Sequence, residues 1–229
     1  LMHLHKEHFR LDEYCVKNQL GVGIPMALQF SITAVGTIIV QAVLNLFGST
    51  AVAAYTAAVK VESLVTQPYG ALGVTLATYS AQNRGINAYD RIKAGVRVSN
   101  ILSAVYSVIV FAVVVVLLPY LIRLFVGDAT AEVLQYAKLY IYICGACFIP
   151  LGMIFIYSNA LQGCGFGFIP MMGGVVELIV RSLAALIAVQ FSSFEGVCAA
   201  NGVTWLITGI FLWIGYRMTM KKVFVTAEQ

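Results

Sequence analysis

Four charged residues lie inside long apolar stretches of this 229-residue chain: Lys60, Glu62, Glu177 and Arg181. A charge at bilayer depth costs about 2.5–3.5 kcal/mol on insertion scales, so it needs a partner, a wet cavity or a function. Glu177 and Arg181 stand four positions apart with the acid first, which is the favoured order for a pair on one helix. We therefore predict a structural ion pair between them.

The other two charges cannot form such a pair. Lys60 and Glu62 are two positions apart and point to different sides of a helix. Each must face another helix or water, and at least one is predicted to face a cavity. Gln67, one to two turns further along the same apolar segment, adds a polar side chain to this region.

A second group of polar residues follows helical spacing near the start of the chain. Gln29, Thr33 and Thr37 share one stripe, and Gln41 and Asn45 extend it. Such a stripe does not suit contact with lipid, so it is predicted to face packed protein or a wet cleft. The predicted substrate or ion pathway therefore comprises Gln29, Thr33, Lys60, Glu62 and Gln67.

Two prolines lie in the middle of apolar segments. Pro68 and Pro150 each remove a backbone hydrogen bond and bend a helix, freeing the carbonyls of Leu64 and Ala146. Both are predicted hinges, although proline also occurs in membrane helices for packing alone. The sequence leaves these two interpretations open.

The elements that hold these residues are membrane helices. Hydrophobic residues make up 60% of the chain, charged residues only 10%, and mean hydropathy is +0.88. About 20 mostly apolar residues of helix cross a hydrocarbon core. We predict an all-α polytopic membrane protein with a connecting segment at 1–20, a six-helix lobe at 21–217 and a tail at 218–229. The predicted spans are residues 22–47, 49–81, 98–122, 139–162, 169–191 and 196–216.

Basic residues are distributed unequally between the two sides of this topology. Three precede the first span, four lie between spans two and three, and three follow the last, whereas the alternate loops have only Arg123 and Lys138, at the edges of one loop. This bias predicts that both termini of the segment lie in the cytoplasm and that the protein is multi-pass in the plasma membrane. The net charge of +4 gives no indication of nucleic-acid binding.

The sequence does not contain the motifs of membrane enzymes or of metal sites inside its predicted spans. No H-E-x-x-H or paired aspartates occur inside the spans, so we predict no enzymatic activity and no cofactor. The histidines His3, His5 and His8 lie near the terminus and are not expected to bind a metal. Cys144 and Cys147 form a C-x-x-C within an apolar helix, where packing is favoured over redox chemistry.

Several short motifs occur together in one order. They are Gly23-Ile24-Pro25, Gly48 followed by Ala51-Val52-Ala53-Ala54-Tyr55, Gln67-Pro68 followed by Ala71-Leu72-Gly73, Gln82-Asn83-Arg84-Gly85, and Ala160-Leu161-Gln162-Gly163-Cys164-Gly165 followed by Pro170. In this order and spacing the chain resembles the second half of a multidrug and toxic compound extrusion (MATE) transporter.

The resemblance implies a fold and an activity. Members of that family have twelve helices in two six-helix lobes around a central cleft, and this chain would form the C-terminal lobe. The implied function is an antiporter that exports organic, often cationic, compounds in exchange for Na⁺ or H⁺. The implied partners are the lipid bilayer, small organic cations and an N-terminal lobe.

This chain departs from the family at the acids used for ion coupling. Some members use acids in the seventh and tenth helices, but the corresponding spans here, 22–47 and 139–162, contain none. Glu62 and Glu177 are then the only deep acids that could replace them.

Alternatives stay open at this point. A flippase or exporter of lipid-linked saccharides shares the superfamily architecture, but its cleft is expected to contain several bases, and only Lys60 and Arg181 qualify here. A non-transporting membrane subunit is also compatible with the apolar pattern. The length fits either part of a two-lobe chain or a half-size protein that pairs with another copy. The start at Leu1 favours the former.

Overall fold

The computed structural model describes residues 12–126 and 130–227, and every regular element within them is helical. The predicted all-α class is confirmed. The histidines His3, His5 and His8 and the first half of the predicted connecting segment lie outside the described residues. The helices are α1 Glu13–Leu44, α2 Ser49–Gly85, α3 Tyr89–Val126, α4 Ala131–Gly145, α5 Phe148–Gly163, α6 Phe168–Gln190 and α7 Phe194–Ala227.

Most helices extend beyond their apolar stretches. The side chain of Asp12 accepts a hydrogen bond from the Cys15 amide at 2.8 Å and caps α1, which therefore begins well before the apolar residues. Pro25, the fourth residue of the predicted span 22–47, therefore lies inside α1 and not at its start. The residues of the predicted tail from 218 to Ala227 continue α7. Polar flanking residues sustain a helix as well as apolar ones do, so hydropathy underestimates helix length.

Length and composition identify most of these helices as membrane spans. The helices α1 (with the short 3₁₀ turn Asn45–Phe47 that follows it), α3, α6 and α7 are each long and apolar enough to cross a bilayer. The pair α4 and α5, bent by 51° at residues 146–147, meets the same criteria when its two helices are counted together as one broken span. The helix α2 has 37 residues, about 55 Å of helix, but a lower mean hydropathy than the others. The reason is a row of polar side chains, described below.

The bend between α4 and α5 begins just before Pro150. That residue is the third of α5, so its ring blocks the hydrogen bond that would have continued α4 through Ala146. By contrast, α2 passes through Pro68 without a break. The hinge function of both prolines stays a prediction.

The helices α1 and α6 run parallel with a seven-residue register. A Cβ added at Gly167 would lie 3.2 Å from Val22, one at Gly174 would lie 3.2 Å from the Gln29 side chain, and one at Gly36 would lie 3.5 Å from Arg181. The matching numbers advance by seven on both helices. A Cβ added at Gly215 near the end of α7 would lie 2.7 Å from Ile169 at the start of α6. The start of α1, the start of α6 and the end of α7 therefore lie at one end of the lobe, which we call the terminal end.

Small residues allow the helices to approach closely. Ala51, Ala54, Ala57 and Ala58 near the start of α2 are buried in the core, where their small side chains let neighbouring helices come close. At the terminal end, a Cβ on Gly163 would overlap the backbone of Ala77, so α5 touches α2 directly there. The residues after Gly163 form the turn into α6, with Gly165 at φ +77°.

Candidate functional site

One face of α2 carries polar side chains along most of its length. They recur every three to four residues or a multiple of that spacing, so they lie on one side of the helix, and all are exposed: Thr56, Lys60, Ser63, Gln67, Thr75 and Thr78. We call these six residues the α2 stripe. It extends over about 33 Å, close to the thickness of a hydrocarbon core. The opposite side of α2 is buried, with Ala58, Val61 and Tyr69 in the core.

The stripe combines satisfied hydroxyls with groups that can bind a solute. The hydroxyls of Thr75 and Thr78 donate to carbonyls one turn earlier in α2, at 2.9 and 3.2 Å. The ammonium of Lys60 lies 5.7 Å from the centre of the Phe125 ring, so α3 supports its position. Gln67 is exposed and carries both donors and an acceptor. The stripe is thus polar, with a single charge at Lys60.

The polar residues of α1 divide between two environments. Thr37 and Gln41 are exposed, whereas Gln29 and Thr33 are half-buried. The amide nitrogen of Gln162, near the end of α5, donates to the amide oxygen of Gln29 at 2.9 Å. Gln29 therefore joins α1 to α5, and the five predicted pathway residues do not share one surface.

Glu62 lies on the opposite side of α2 from Lys60. The hydroxyl of Tyr140 on α4 donates to Glu62 Oε2 at 2.5 Å. The amide of Asn201 on α7 then donates to the Tyr140 oxygen at 3.2 Å and to the Tyr55 oxygen at 3.1 Å. We call these four residues the Glu62 cluster. It links α2, α4 and α7 in the interior of the lobe, where Tyr140 is fully buried and Tyr55 and Asn201 are buried.

The ion pair expected on α6 lies beside this cluster. Arg181 Nη2 is 2.5 Å from Glu177 Oε1, and the two side chains are only 7% and 12% exposed. Thr33 of α1 lies next to Glu177, so α1 and α6 meet at this pair. The charge of Arg181 is close enough to act on Glu62 as well.

Glu62 is bonded to Tyr140 in the interior, whereas Lys60 belongs to the exposed α2 stripe. The two side chains therefore point apart, as their spacing requires.

Sequence reasoning missed four members of these interior contacts: Tyr55, Tyr140, Gln162 and Asn201. A signal was available for Asn201 because it is an amide in the otherwise apolar start of α7. Tyr55 and Tyr140 gave no such signal, because aromatic residues are common in the membrane spans and these two do not stand out among them. Within the described residues, no three His, Cys, Asp or Glu side chains come together as a metal site would require.

The cysteines of the C-x-x-C motif lie at the α4–α5 bend. The thiol of Cys144 is buried and donates to the Cys198 carbonyl oxygen at 3.6 Å, while Cys147 packs near Gly202 of α7. All five cysteines are free thiols. The pair therefore contributes to helix packing, as predicted.

Comparison with known proteins agrees with this architecture. The family model MatE matches residues 25–187. The probable multidrug resistance protein YoeA of Bacillus subtilis is 22% identical, with 96% of this chain and 48% of that protein covered. The FAD transporter of Shewanella oneidensis is 27% identical, with 81% of this chain and 41% of that protein covered. The chain spans about half the length of the curated relatives it matches.

Solved structures give the same result for the fold. A MATE transporter in a bent conformation superposes with a TM-score of 0.89 at 16% identity, covering 99% of this chain and 50% of that one. A superfamily transporter from Pyrococcus furiosus, described as having a binding pocket of reversed polarity, gives 0.87 at 16% identity, covering 95% and 49%. One lobe of those proteins therefore has the arrangement of helices found here. With the family model matching well over half of its residues, the chain belongs to the MATE family of membrane transporters.

Proposed function

We propose that this chain is one lobe of a secondary active antiporter that exports organic, often cationic, compounds in exchange for Na⁺ or H⁺. The observation that carries the proposal is the α2 stripe. A helix that exposes threonine, serine, glutamine and lysine over the thickness of a bilayer cannot face acyl chains along that side without loss. A wet cleft is the environment that suits it.

A second six-helix lobe is the natural cover for such a surface. The curated relatives are about twice as long as this chain, which supports a further lobe from the same polypeptide or from a second copy. A cleft would then form between the α2 stripe and the facing lobe. We place the protein in the plasma membrane with both termini of the segment in the cytoplasm, because the basic residues cluster at the terminal end.

The substrate class follows from the chemistry of the stripe. Five of its six side chains are uncharged and amphipathic, so they can contact solutes of different shapes without one fixed ionic partner. Relatives named for multidrug resistance in Bacillus subtilis and Thermotoga maritima support this breadth. Gradient-driven export needs no enzymatic step from this chain.

Substitution of Gln67 tests the cleft. Cells that express the protein containing this chain, with its second lobe, are loaded with ethidium and energised. Gln67→Ala is expected to reduce efflux about two- to tenfold, the value of one lost hydrogen bond. The matched control is Gln19→Ala, an exposed glutamine of α1 outside the stripe. Equal efflux from both variants at equal expression would show that the α2 stripe does not line the transport path.

Lys60 favours a second candidate, the export of a phosphate-bearing solute. It is the charged member of the stripe, and one relative is named an FAD transporter. Lys60→Gln should then weaken FAD export about ten- to a hundredfold, as expected for a lost hydrogen bond to a charged group, and leave ethidium efflux intact. An exporter of lipid-linked saccharides needs several bases, and Arg181 is held by Glu177 instead.

A further inference from the structure

A groove lies between α6 and α7 at the terminal end of the lobe and is open at its surface. Its volume is about 390 Å³. Six apolar side chains line it: Phe166, Ile169, Phe211, Ile214, Met218 and Val223. The polar side chains of the lining are Thr219 and Lys222. The Thr219 hydroxyl donates to the Gly215 carbonyl oxygen at 2.8 Å, which leaves the lysine as the charged group offered to a ligand. We call this the α6–α7 groove.

The groove follows the axis of α7 for about three turns. Its members on α7 recur at spacings of three and four residues, so they form one side of that helix. From Phe211 to Lys222 the helix rises by about 16 Å. The groove is therefore elongated along the direction in which a lipid chain enters a bilayer.

The two ends of the groove differ in polarity. A Cβ added at Gly173 would lie 2.9 Å from Leu212, and one at Gly215 would lie 2.7 Å from Ile169, so α6 and α7 run antiparallel. Lys222 follows Gly215 by seven residues, about 10 Å, and therefore lies beyond the start of α6. The apolar end points toward the middle of the lobe, and the charged end points out of it.

The edge of the hydrocarbon core crosses this groove. Arg217 is the first base after the charge-free segment 196–216, and its guanidinium lies 5.3 Å from the centre of the Trp213 ring. Tryptophan is enriched at the membrane–water boundary. Lys222 lies five residues past Arg217, about 8 Å, which is close to the thickness of the headgroup layer. Its long side chain is thus placed among the headgroups.

A second base borders the groove from the opposite wall. The guanidinium of Arg84, at the end of α2, lies 4.8 Å from the centre of the Phe166 ring, and Phe166 lines the groove. Among the described residues of the lining, none is acidic. The groove therefore combines apolar walls inside the hydrocarbon core with positive charge at the headgroup level.

We propose that the α6–α7 groove is a binding site for an anionic phospholipid. The phosphate lies at Lys222, and the first part of one acyl chain runs along α7 past Ile214 to Phe211. Charge complementarity at one end and apolar contact at the other match the two parts of that molecule. Placement of the lipid in the cytoplasmic leaflet rests on the orientation proposed above, whereas its binding to the groove does not depend on the transported solute.

A second groove between the same helices provides an internal control. It lies at the opposite end of the lobe and has a similar volume, about 370 Å³. Ile187, Phe191 and Val203 line it together with small residues and Ser193, and this lining contains no charged residue. A lipid chain can pack there, but nothing in the lining selects an anionic headgroup. Only the α6–α7 groove is therefore expected to discriminate between lipids by charge.

Native mass spectrometry of the protein that carries this chain, with its second lobe, measures this selectivity. The protein in detergent is titrated with phosphatidylglycerol or with phosphatidylcholine of the same chain length. Lys222→Gln should weaken the tightest phosphatidylglycerol binding about fivefold, the value of one base near an anionic lipid surface. Lys221→Gln makes the same change at the adjacent exposed position outside the groove and should alter binding less than twofold. Equal losses in the two variants, or equal binding of both lipids to the wild type, would overturn the proposal.

Filling each groove tests the apolar part of the site. Met218→Trp, at a 59% exposed position of the α6–α7 groove, should weaken phosphatidylglycerol binding at least fivefold. The matched control is Ile187→Trp, at a 55% exposed position of the second groove, which should leave that binding unchanged. Unchanged binding in Met218→Trp would overturn the proposal. A wild-type dimer that Met218→Trp converts to a monomer would show that a second copy occupies the groove, which would also overturn it.

A lipid is distinguished from a free phosphate by competition. Glycerol 3-phosphate has the charged group without acyl chains, so at equal concentration it should not displace phosphatidylglycerol. Displacement would refute the lipid assignment. These measurements need no gradient and no solute, so their failure leaves the antiporter proposal standing. Intact phosphatidylglycerol binding in a protein that exports neither ethidium nor FAD would refute the antiporter proposal alone.

Discussion

Loss of Arg181 should destabilise the lobe more than loss of the whole ion pair. Arg181 and Glu177 are buried, with side chains 7% and 12% exposed, and their charged atoms are 2.5 Å apart. Arg181→Ala leaves Glu177 without its ionic partner in the interior of the lobe. Removal of one member of a buried pair costs about 3–5 kcal/mol. That is a loss of about two to nearly four powers of ten in the ratio of folded to unfolded protein.

The double variant Arg181→Ala with Glu177→Ala removes the stranded acid along with the base. It should recover part of the loss, so the two single effects will exceed the combined effect. Unfolding of the purified protein in mixed detergent micelles gives the free energies, and Arg123→Ala, at an exposed position near the end of α3, provides the control for loss of an arginine. Single losses that simply add up would mean that the pair is not energetically coupled, which would refute this account.

Two further substitutions test the packing. Gly163→Ala should lower the melting temperature sharply because its Cβ would overlap the Ala77 backbone, whereas Gly21→Ala, with nothing within 4 Å of its added Cβ, should be neutral or slightly stabilising in the same thermal scan. Tyr69→Phe should reduce the free energy of unfolding by about 0.5–1.5 kcal/mol, since it removes one hydrogen bond of 2.7 Å to Ser107, and a larger loss would contradict this assignment.

The sequence predicted the fold well because membrane helices are determined by local composition. Five of the six predicted spans each coincide with one helix, because about 20 apolar residues in a row leave a chain in lipid no other way to satisfy its backbone. The predicted span 139–162 is divided between α4 and α5 by the bend at residues 146–147. Boundaries were less accurate. The helices α1 and α7 continue through polar residues that hydropathy assigns to a connecting segment and a tail.

The candidate site was only partly predictable. The depth of Glu62 was evident from the surrounding apolar residues, but its partner Tyr140 is 78 positions away and Asn201 is a further 61. Contacts over such separations depend on how helices pack, and a single sequence gives no periodicity that reports it. The spacing of Gln29 and Thr33 indicated a common stripe, yet it could not decide between a cleft and a helix interface.

The helix α2 carries polar groups on both its exposed and its buried side. Lys60 and Glu62 are two residues apart on one helix and so point about 200° apart around its axis. Lys60 lies on the exposed side of α2, in the α2 stripe, and Glu62 is bonded to Tyr140 in the interior. Any displacement of α2 that alters the Glu62–Tyr140 bond must also move Lys60 and Gln67. One helix therefore carries both groups, and a displacement at the Glu62 side of α2 is also a displacement of the α2 stripe.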